Sequence, residues 1–197
     1  MSKVLILFSH PNLEKSWANA RLMNYINHKS GVTFHDLYEE YPNFNIDIEY
    51  EKSLLLEHDI IIWHHPIFWY SCPALMKQWI DLVLEFQWAY GPNGNALKGK
   101  RCFNVITTGS ARIFYGEKGP HNYSIQTFLK PFEQTATLCG MTYLPPFAIM
   151  GVHRLSEEEL KIYAEKYVAL LDLLIDDVPF EVKKGCDFLN DIIELKK

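Results

Sequence analysis

Cysteine is scarce in this 197-residue chain: Cys72, Cys102, Cys139 and Cys186 are the whole complement. They form no C-x-x-C pair and match no zinc-ligand spacing, which argues against a disulfide framework or a zinc fold. They read instead as thiols of a reducing compartment, three of them in apolar contexts. Long apolar runs are also missing. Val4–Phe8 is too short to span a bilayer and lacks the length and cleavage site of a signal peptide, so the expected location is the cytoplasm. An excess of positive charge is missing as well. The net charge is −5 and no dense Lys/Arg stripe occurs, which argues against a nucleic-acid partner. No repeat, low-complexity tract or Gly/Ser/Pro linker divides the chain, so residues 1–197 are expected to form one domain with a short tail from about residue 178. No G-x-G-x-x-G loop is present. Gly94–Lys100 nearly spells a P-loop, but Arg101 stands where Ser or Thr belongs, and the motif precedes its strand instead of following it.

What the chain does contain is alternation. Hydrophobic residues make up 48% of it and charged residues 22%, ordinary usage for a packed domain. Short apolar runs predict strands at Val4–Phe8, Val32–Asp36, Asp59–Trp63, Cys102–Thr107 and within Thr142–Met150, the last shortened by Pro145-Pro146. Amphipathic stretches between them predict helices. These lie at Ala18–Asn27 with Ser16 as N-cap, Ile46–Glu57, Pro73–Phe86, Ser124–Leu138 interrupted by Pro131, and Ser156–Ile175. Ser156-x-x-Glu159 matches a capping box, and Asp187–Leu195 adds a short tail helix. Strand and helix alternating about five times predict an α/β fold, a parallel sheet covered on both faces. Ligands of such a sheet sit beyond the carboxyl ends of the strands.

Three loops are therefore expected to carry the chemistry. After the first strand come Ser9-His10-Pro11, then Ser16-Trp17-Ala18-Asn19 at a helix start. That segment reads either as ordinary capping or as a phosphate site built from helix N–H groups. After the third strand, Pro66-Ile67-Phe68-Trp69-Tyr70 places three aromatics in a row. They would cover a flat ligand, or serve as a hydrophobic plug or subunit contact. His64-His65 is no metal pair, because neighbours on a strand face opposite ways, and no metal is expected. After the fourth strand, Thr107-Thr108-Gly109-Ser110 lets a backbone approach a ligand closely, a weak signal alone. Tyr115 and His121 lie beyond it, as proton or hydrogen-bond donors or as parts of a surface loop.

In combination these residues resemble the NAD(P)H dehydrogenase (quinone) flavoproteins. The nearest branch is the ancillary flavoproteins of glutathione-regulated potassium-efflux systems. The resemblance runs from about Val4 to Gly151. It is carried by the segments just quoted, with Tyr41-Pro42-Asn43-Phe44-Asn45-Ile46-Asp47, Trp88-Ala89-Tyr90-Gly91, Cys139-Gly140-Met141 and Leu144-Pro145-Pro146-Phe147. It implies a flavodoxin-like fold with strand order 2-1-3-4-5. It also implies FMN rather than FAD as cofactor, NADH or NADPH as cosubstrate, and two-electron transfer to a quinone. His10 and Ser16–Asn19 would hold the phosphate, Pro66–Tyr70 would border the flavin ring, and Thr107–Ser110 would line its polar edge. Tyr115 and His121 would assist hydride transfer. The relatives are homodimers, and the aromatics of Phe68–Tyr70 and Trp88–Tyr90 suit such an interface. The branch also implies a regulatory role on a potassium/proton antiporter, peripheral at the inner face of the cell membrane. A flavodoxin-type electron carrier is a third reading. One departure stands out: the family motif is Thr-Thr-Gly-Gly, so Ser110 would be strained if its position needs positive φ.

Overall fold

The computed structural model describes residues 1–26, 29–179 and 185–194. Strands β1 (Val4–Phe8), β2 (Val32–Asp36), β3 (Ile60–Pro66), β4 (Arg101–Thr108), β5 (Thr142–Tyr143) and β6 (Phe147–Met150) form one parallel sheet. Its order is β2-β1-β3-β4, with β5 and β6 both paired to β4. The fold is flavodoxin-like, as the resemblance implies. Side chains alternate between its faces. Val4, Ile6, Phe8, Ile60 and Ile62 pack under α1 (Trp17–Ile26) and α7 (Glu157–Ile175). Leu5, Leu7, Ile61 and Trp63 pack under α2 (Leu37–Glu40), α3 (Ile48–Glu57), α4 (Ala74–Val83) and α6 (Lys130–Leu138). No described helix is long and apolar enough to cross a membrane.

Several boundaries differ from the sequence reading for identifiable reasons. β3 runs on through His64-His65-Pro66, because β4 continues to pair with it as far as Thr107. α2 was not foreseen; Asp36 caps it by accepting from Tyr38 N. α3 starts two residues later than expected, since Asp47 accepts from Tyr50 N as its N-cap. Pro73 precedes α4 as N-cap instead of opening it, and the helix stops at Val83. The Ser124–Leu138 stretch breaks into α5 (Ile125–Phe128) and α6, with Pro131 in the first turn of α6, where its missing N–H costs little. Ser156 and Glu159 do form the capping box of α7. The tail holds a 3-10 turn at Leu189–Asp191; Leu195, like Asn27, lies outside the described residues.

The fifth strand is where the prolines act. Cys102 pairs with Tyr143, but Val105 pairs with Phe147, so the edge strand carries one extra residue. That insertion reverses its facing: Tyr143 packs with one core, Phe147 with the other. Proline is tolerated there because an edge strand has N–H groups that need no ladder partner.

Two buried polar networks brace the sheet. Glu51, fully buried on α3, accepts from Trp79 Nε1 at 2.7 Å and Tyr41 O–H at 2.5 Å, and lies 2.6 Å from His35 Nε2. This explains Tyr41 and Asp47 in the quoted motif: one feeds the carboxylate, the other caps its helix. On β3, His65 lies between Pro66 O at 3.0 Å and Asn104 Nδ2 at 2.9 Å, while Tyr143 O–H donates to Asn104 Oδ1. That chain suits a neutral imidazole protonated on Nδ1. His64 points the other way, edge-on to Phe8 and Tyr167, with both ring nitrogens buried and unpartnered among the described residues.

Burial pushes His64 down to about 3 and His65 to about 4 from an ordinary 6.5. Below 6.5 the unfolded chain takes up protons that the fold refuses, so their stabilising contribution is full above 6.5 and is lost as pH falls. Each histidine is expected to cost roughly 1.4 kcal/mol per pH unit over that window. Urea unfolding at pH 7, 6 and 5 checks this, and a stability independent of pH over that range contradicts it.

Candidate functional site

The carboxyl ends of β1, β3, β4 and β6 open onto one cleft of about 640 Å³. One wall is the loop after β1 and the start of α1. His10 is buried and accepts from Asn12 N on Nδ1 at 3.1 Å, which leaves its proton on Nε2. Burial also lowers its pKa, favouring the neutral ring. Ser16 stands at the N-cap position of α1, and its Oγ accepts from Asn19 Nδ2 at 2.9 Å. The same amide reaches Thr107 Oγ1 at 3.2 Å, and Asn19 Oδ1 is buried with no partner among the described residues. The first N–H groups of α1 and the Lys15 side chain give this wall positive character.

The opposite wall comes from β3, β4 and β6. Ile67 N donates to Thr107 O, which joins the two loops directly behind the strand ends. Phe68 and Ser71 exchange both backbone hydrogen bonds across Trp69 and Tyr70, whose φ angles are +47° and +66°. This is a two-residue turn of the I′ type, which favours Asn-Gly. Building it from two aromatics costs on the order of 1 kcal/mol per residue, strain of the kind that collects at functional sites. Trp69 is 93% exposed. Gly109 packs closely: a Cβ there would stand 3.1 Å from the His153 ring, which would have to give by a few tenths of an ångström.

Of the residues expected from sequence, His10, Ser16, Trp17, Ala18, Asn19, Pro66, Ile67, Phe68, Thr107, Thr108 and Gly109 line the cleft. Trp69, Tyr70, Ser110, Tyr115 and His121 do not; Trp69 and Tyr70 follow Phe68, Ser110 follows Gly109, and Tyr70, Ser110 and Tyr115 meet at the His121 ring. There Tyr115 stacks on His121 with centroids 4.6 Å apart, and Tyr70 meets His121 edge-on at 5.7 Å. The condition for strain at Ser110 is not met. The residue is not among the positive-φ residues, so the Gly-to-Ser departure brings no strain, and its Oγ lies 3.0 Å from His121 Nε2. Sequence reasoning missed Asn12, Lys15, Val152, His153 and Leu155, which also line the cleft. The last three follow β6. Applying the strand-end rule to the fifth strand, as to the others, would have found them. Trp88 and Tyr90, expected at an interface, are partly buried against the core. All four cysteines are free thiols, and burial raises Cys102 to about 12 and Cys139 to about 11.

The model of a family described as having a flavodoxin-like fold matches residues 2–171. The glutathione-regulated potassium-efflux system ancillary protein KefG of Erwinia tasmaniensis is 46% identical over 165 residues, 84% of this chain and 90% of KefG. The uncharacterized NAD(P)H oxidoreductase YrkL of Bacillus subtilis is 44% identical over 169 residues, 86% of this chain and 97% of YrkL. Among solved structures, general stress protein 14 of Treponema denticola in complex with FMN superposes with a TM-score of 0.82 at 38% identity, covering 87% of this chain and 99% of that one. An NADPH-quinone reductase from P. pentosaceus superposes with a TM-score of 0.75 at 33% identity, covering 83% and 96%. With its sheet order, its strand-end cleft and these likenesses, the chain belongs to the flavodoxin-like NAD(P)H oxidoreductase family.

Proposed function

We propose that this chain is an FMN-dependent NAD(P)H:quinone oxidoreductase acting in the cytoplasm as a homodimer. The observation that carries the reading is the division of the cleft. The loop after β1 and the start of α1 bring helix N–H groups, Lys15 and the His10 Nε2–H to it; the other strand ends bring the apolar Pro66, Ile67 and Phe68 beside Thr107, Thr108 and Gly109. A molecule with an anionic tail and a planar head fits that division. The buried, unpartnered Oδ1 of Asn19 between them is an acceptor suited to a ribityl hydroxyl. The FMN-bound likeness at 38% identity supports the same fit.

In this reading, His10, Lys15 and Ser16–Asn19 hold the phosphate. Pro66–Tyr70 border the ring, and backbone N–H groups of Thr107–Ser110 face its polar edge. When bound, FMN supplies two-electron transfer between NAD(P)H and a quinone. Tyr115 and His121, stacked on each other, donate hydrogen bonds where negative charge develops and so stabilise it. The exposed Phe68, Trp69 and Tyr70 are apolar surface that a second copy would cover over the cleft mouth. A second reading rests on the 46% likeness to KefG: an ancillary subunit at the cytoplasmic face of a potassium-efflux antiporter, with turnover incidental.

Purified protein is expected to show a flavin absorbance spectrum after FMN addition, to bleach with NADH or NADPH without oxygen, and to recover with menadione. Refusal of millimolar FMN ends the proposal; bound flavin with negligible turnover favours the ancillary role. Asn19→Leu removes the tie to Ser16 and Thr107 and should weaken FMN binding at least about tenfold by fluorescence titration. His121→Gln should lower kcat on the order of a hundredfold while the FMN Kd holds, and an unchanged kcat removes His121 from the mechanism. Light scattering at micromolar concentration should report a dimer; a monomer argues against the covered mouth.

A further inference from the structure

The family match ends at residue 171, yet the described stretch beyond α7 is built firmly into the molecule. Phe188 is buried in the core beneath α2, α3, α4 and α6, while Leu189 and Ile193 are buried in the core beneath α1 and α7. The segment therefore wraps the open edge of the sheet. Asn190 acts there as a side-chain strand. Its Oδ1 accepts from Ala148 N at 2.7 Å, and its Nδ2 donates to Ala148 O at 3.0 Å. Leu189 N donates to Pro146 O, and Lys166 Nζ donates to Asn190 O. Covering an edge strand in this way would by itself be only protection.

Further contacts from the same segment reach the two flanks of the loop that carries Tyr115 and His121. Arg112 lies 3.5 Å from the Asp187 carboxylate and 3.2 Å from that of Asp191, with its guanidinium 4.6 Å from the Phe188 ring centroid. Gln126 Nε2 donates to Asp187 O at 2.9 Å. Arg112 and Gln126 flank the loop that carries Tyr115 and His121. Within that loop Tyr115 N donates to Arg112 O, His121 N to Phe114 O, and Gly116 N to Tyr123 O. Gly119 is needed where the loop folds back, since a Cβ there would lie 2.3 Å from Phe114 O. The loop is thus a closed unit, bonded to itself and anchored at both flanks to the C-terminal segment.

We propose that the C-terminal segment 186–191 is a strap that fixes the Tyr115–His121 loop over the cleft, with Arg112 as the positioning residue. The proposal rests on the reading of that loop as part of the oxidoreductase site. A lone exposed ion pair would hold little. A planar guanidinium stacked on a buried ring and shared by two carboxylates fixes orientation as well as distance. The Arg112 side chain does not line the cleft; the residue acts through its backbone, whose carbonyl accepts from Tyr115 N.

The test uses the full chain loaded with FMN and carrying Arg112→Ala. Amide hydrogen exchange across residues 111–123 is expected to rise about tenfold. The KM for NAD(P)H or menadione should rise about threefold to tenfold, with FMN Kd and urea midpoint held. Exchanging the charges, Arg112→Asp with Asp191→Arg, should recover part of both effects. Unchanged exchange in the loop overturns the strap. Raised exchange with an unmoved KM supports the strap and counts against the loop's role in turnover, and failure of the parent protein to bind FMN counts against the oxidoreductase reading alone. A fallen urea midpoint that alone accounts for the raised exchange also overturns the strap.

Discussion

Asn19 holds the cleft together. It sits in the first turn of α1, almost fully buried, and its amide bridges Ser16 Oγ and Thr107 Oγ1, 88 residues away in sequence. The start of α1 is thereby tied to the end of β4. Ile67 N then ties the end of β3 to the same residue through Thr107 O, and Gly151 N and Val152 N tie the end of β6 to Thr108 O. Three strand ends and the start of α1 are joined by a handful of hydrogen bonds, the one between Asn19 and Thr107 fully buried, where such bonds are strongest and most costly to break. A site assembled this way is rigid before any ligand arrives, which keeps the ordering cost of binding low.

The sheet supplies the stiffness on which this arrangement stands. Its central strands are mostly apolar, as coverage on both faces requires, and two sets of polar groups inside it are paired. Glu51 answers three neighbours, and Asn104 joins His65 to Tyr143. His64 is an exception, a desolvated imidazole without a partner among the described residues, and Trp63 Nε1 beside it on β3 and Tyr167 O–H against it are unpartnered too. The Trp69-Tyr70 turn is a second local cost, held in place by paired backbone bonds between Phe68 and Ser71. Both costs fall at the strand ends, where binding surfaces are made, and not in the body of the sheet.

The edge of the sheet and the Tyr115–His121 loop are coupled through the C-terminal segment. Pro145 and Pro146 break the fifth strand, the extra residue reverses its facing, and Leu189 and Asn190 cover the exposed backbone that results. The same segment grips Arg112, so the loop bearing Tyr115 and His121 is held from outside the sheet as well as by the Ser110–His121 contact. In the family motif the place of Ser110 is taken by glycine. Here the added hydroxyl reaches a ring that glycine could not touch.

The sequence alone determined the α/β architecture and most of the cleft. Alternating short apolar runs and amphipathic stretches are local patterns, and a parallel sheet leaves its binding edge at the strand ends. His10, Asn19, Phe68 and Thr107 could therefore be named from their places after the strands. What followed from pairing was not legible. β3 extends through His64–Pro66 because β4 runs beside it, and Ser16 Oγ accepts from the Asn19 amide that also donates to Thr107. Ser110 escapes strain because its φ is not positive in the folded chain, where its carbonyl accepts from Thr108 Oγ1 and Gly151 N. The grip of Asp187 and Asp191 on Arg112 joins residues some 75 positions or more apart, a distance over which no local pattern carries information. Periodicity fixes which residues turn inward; only the packed chain decides which of them meet.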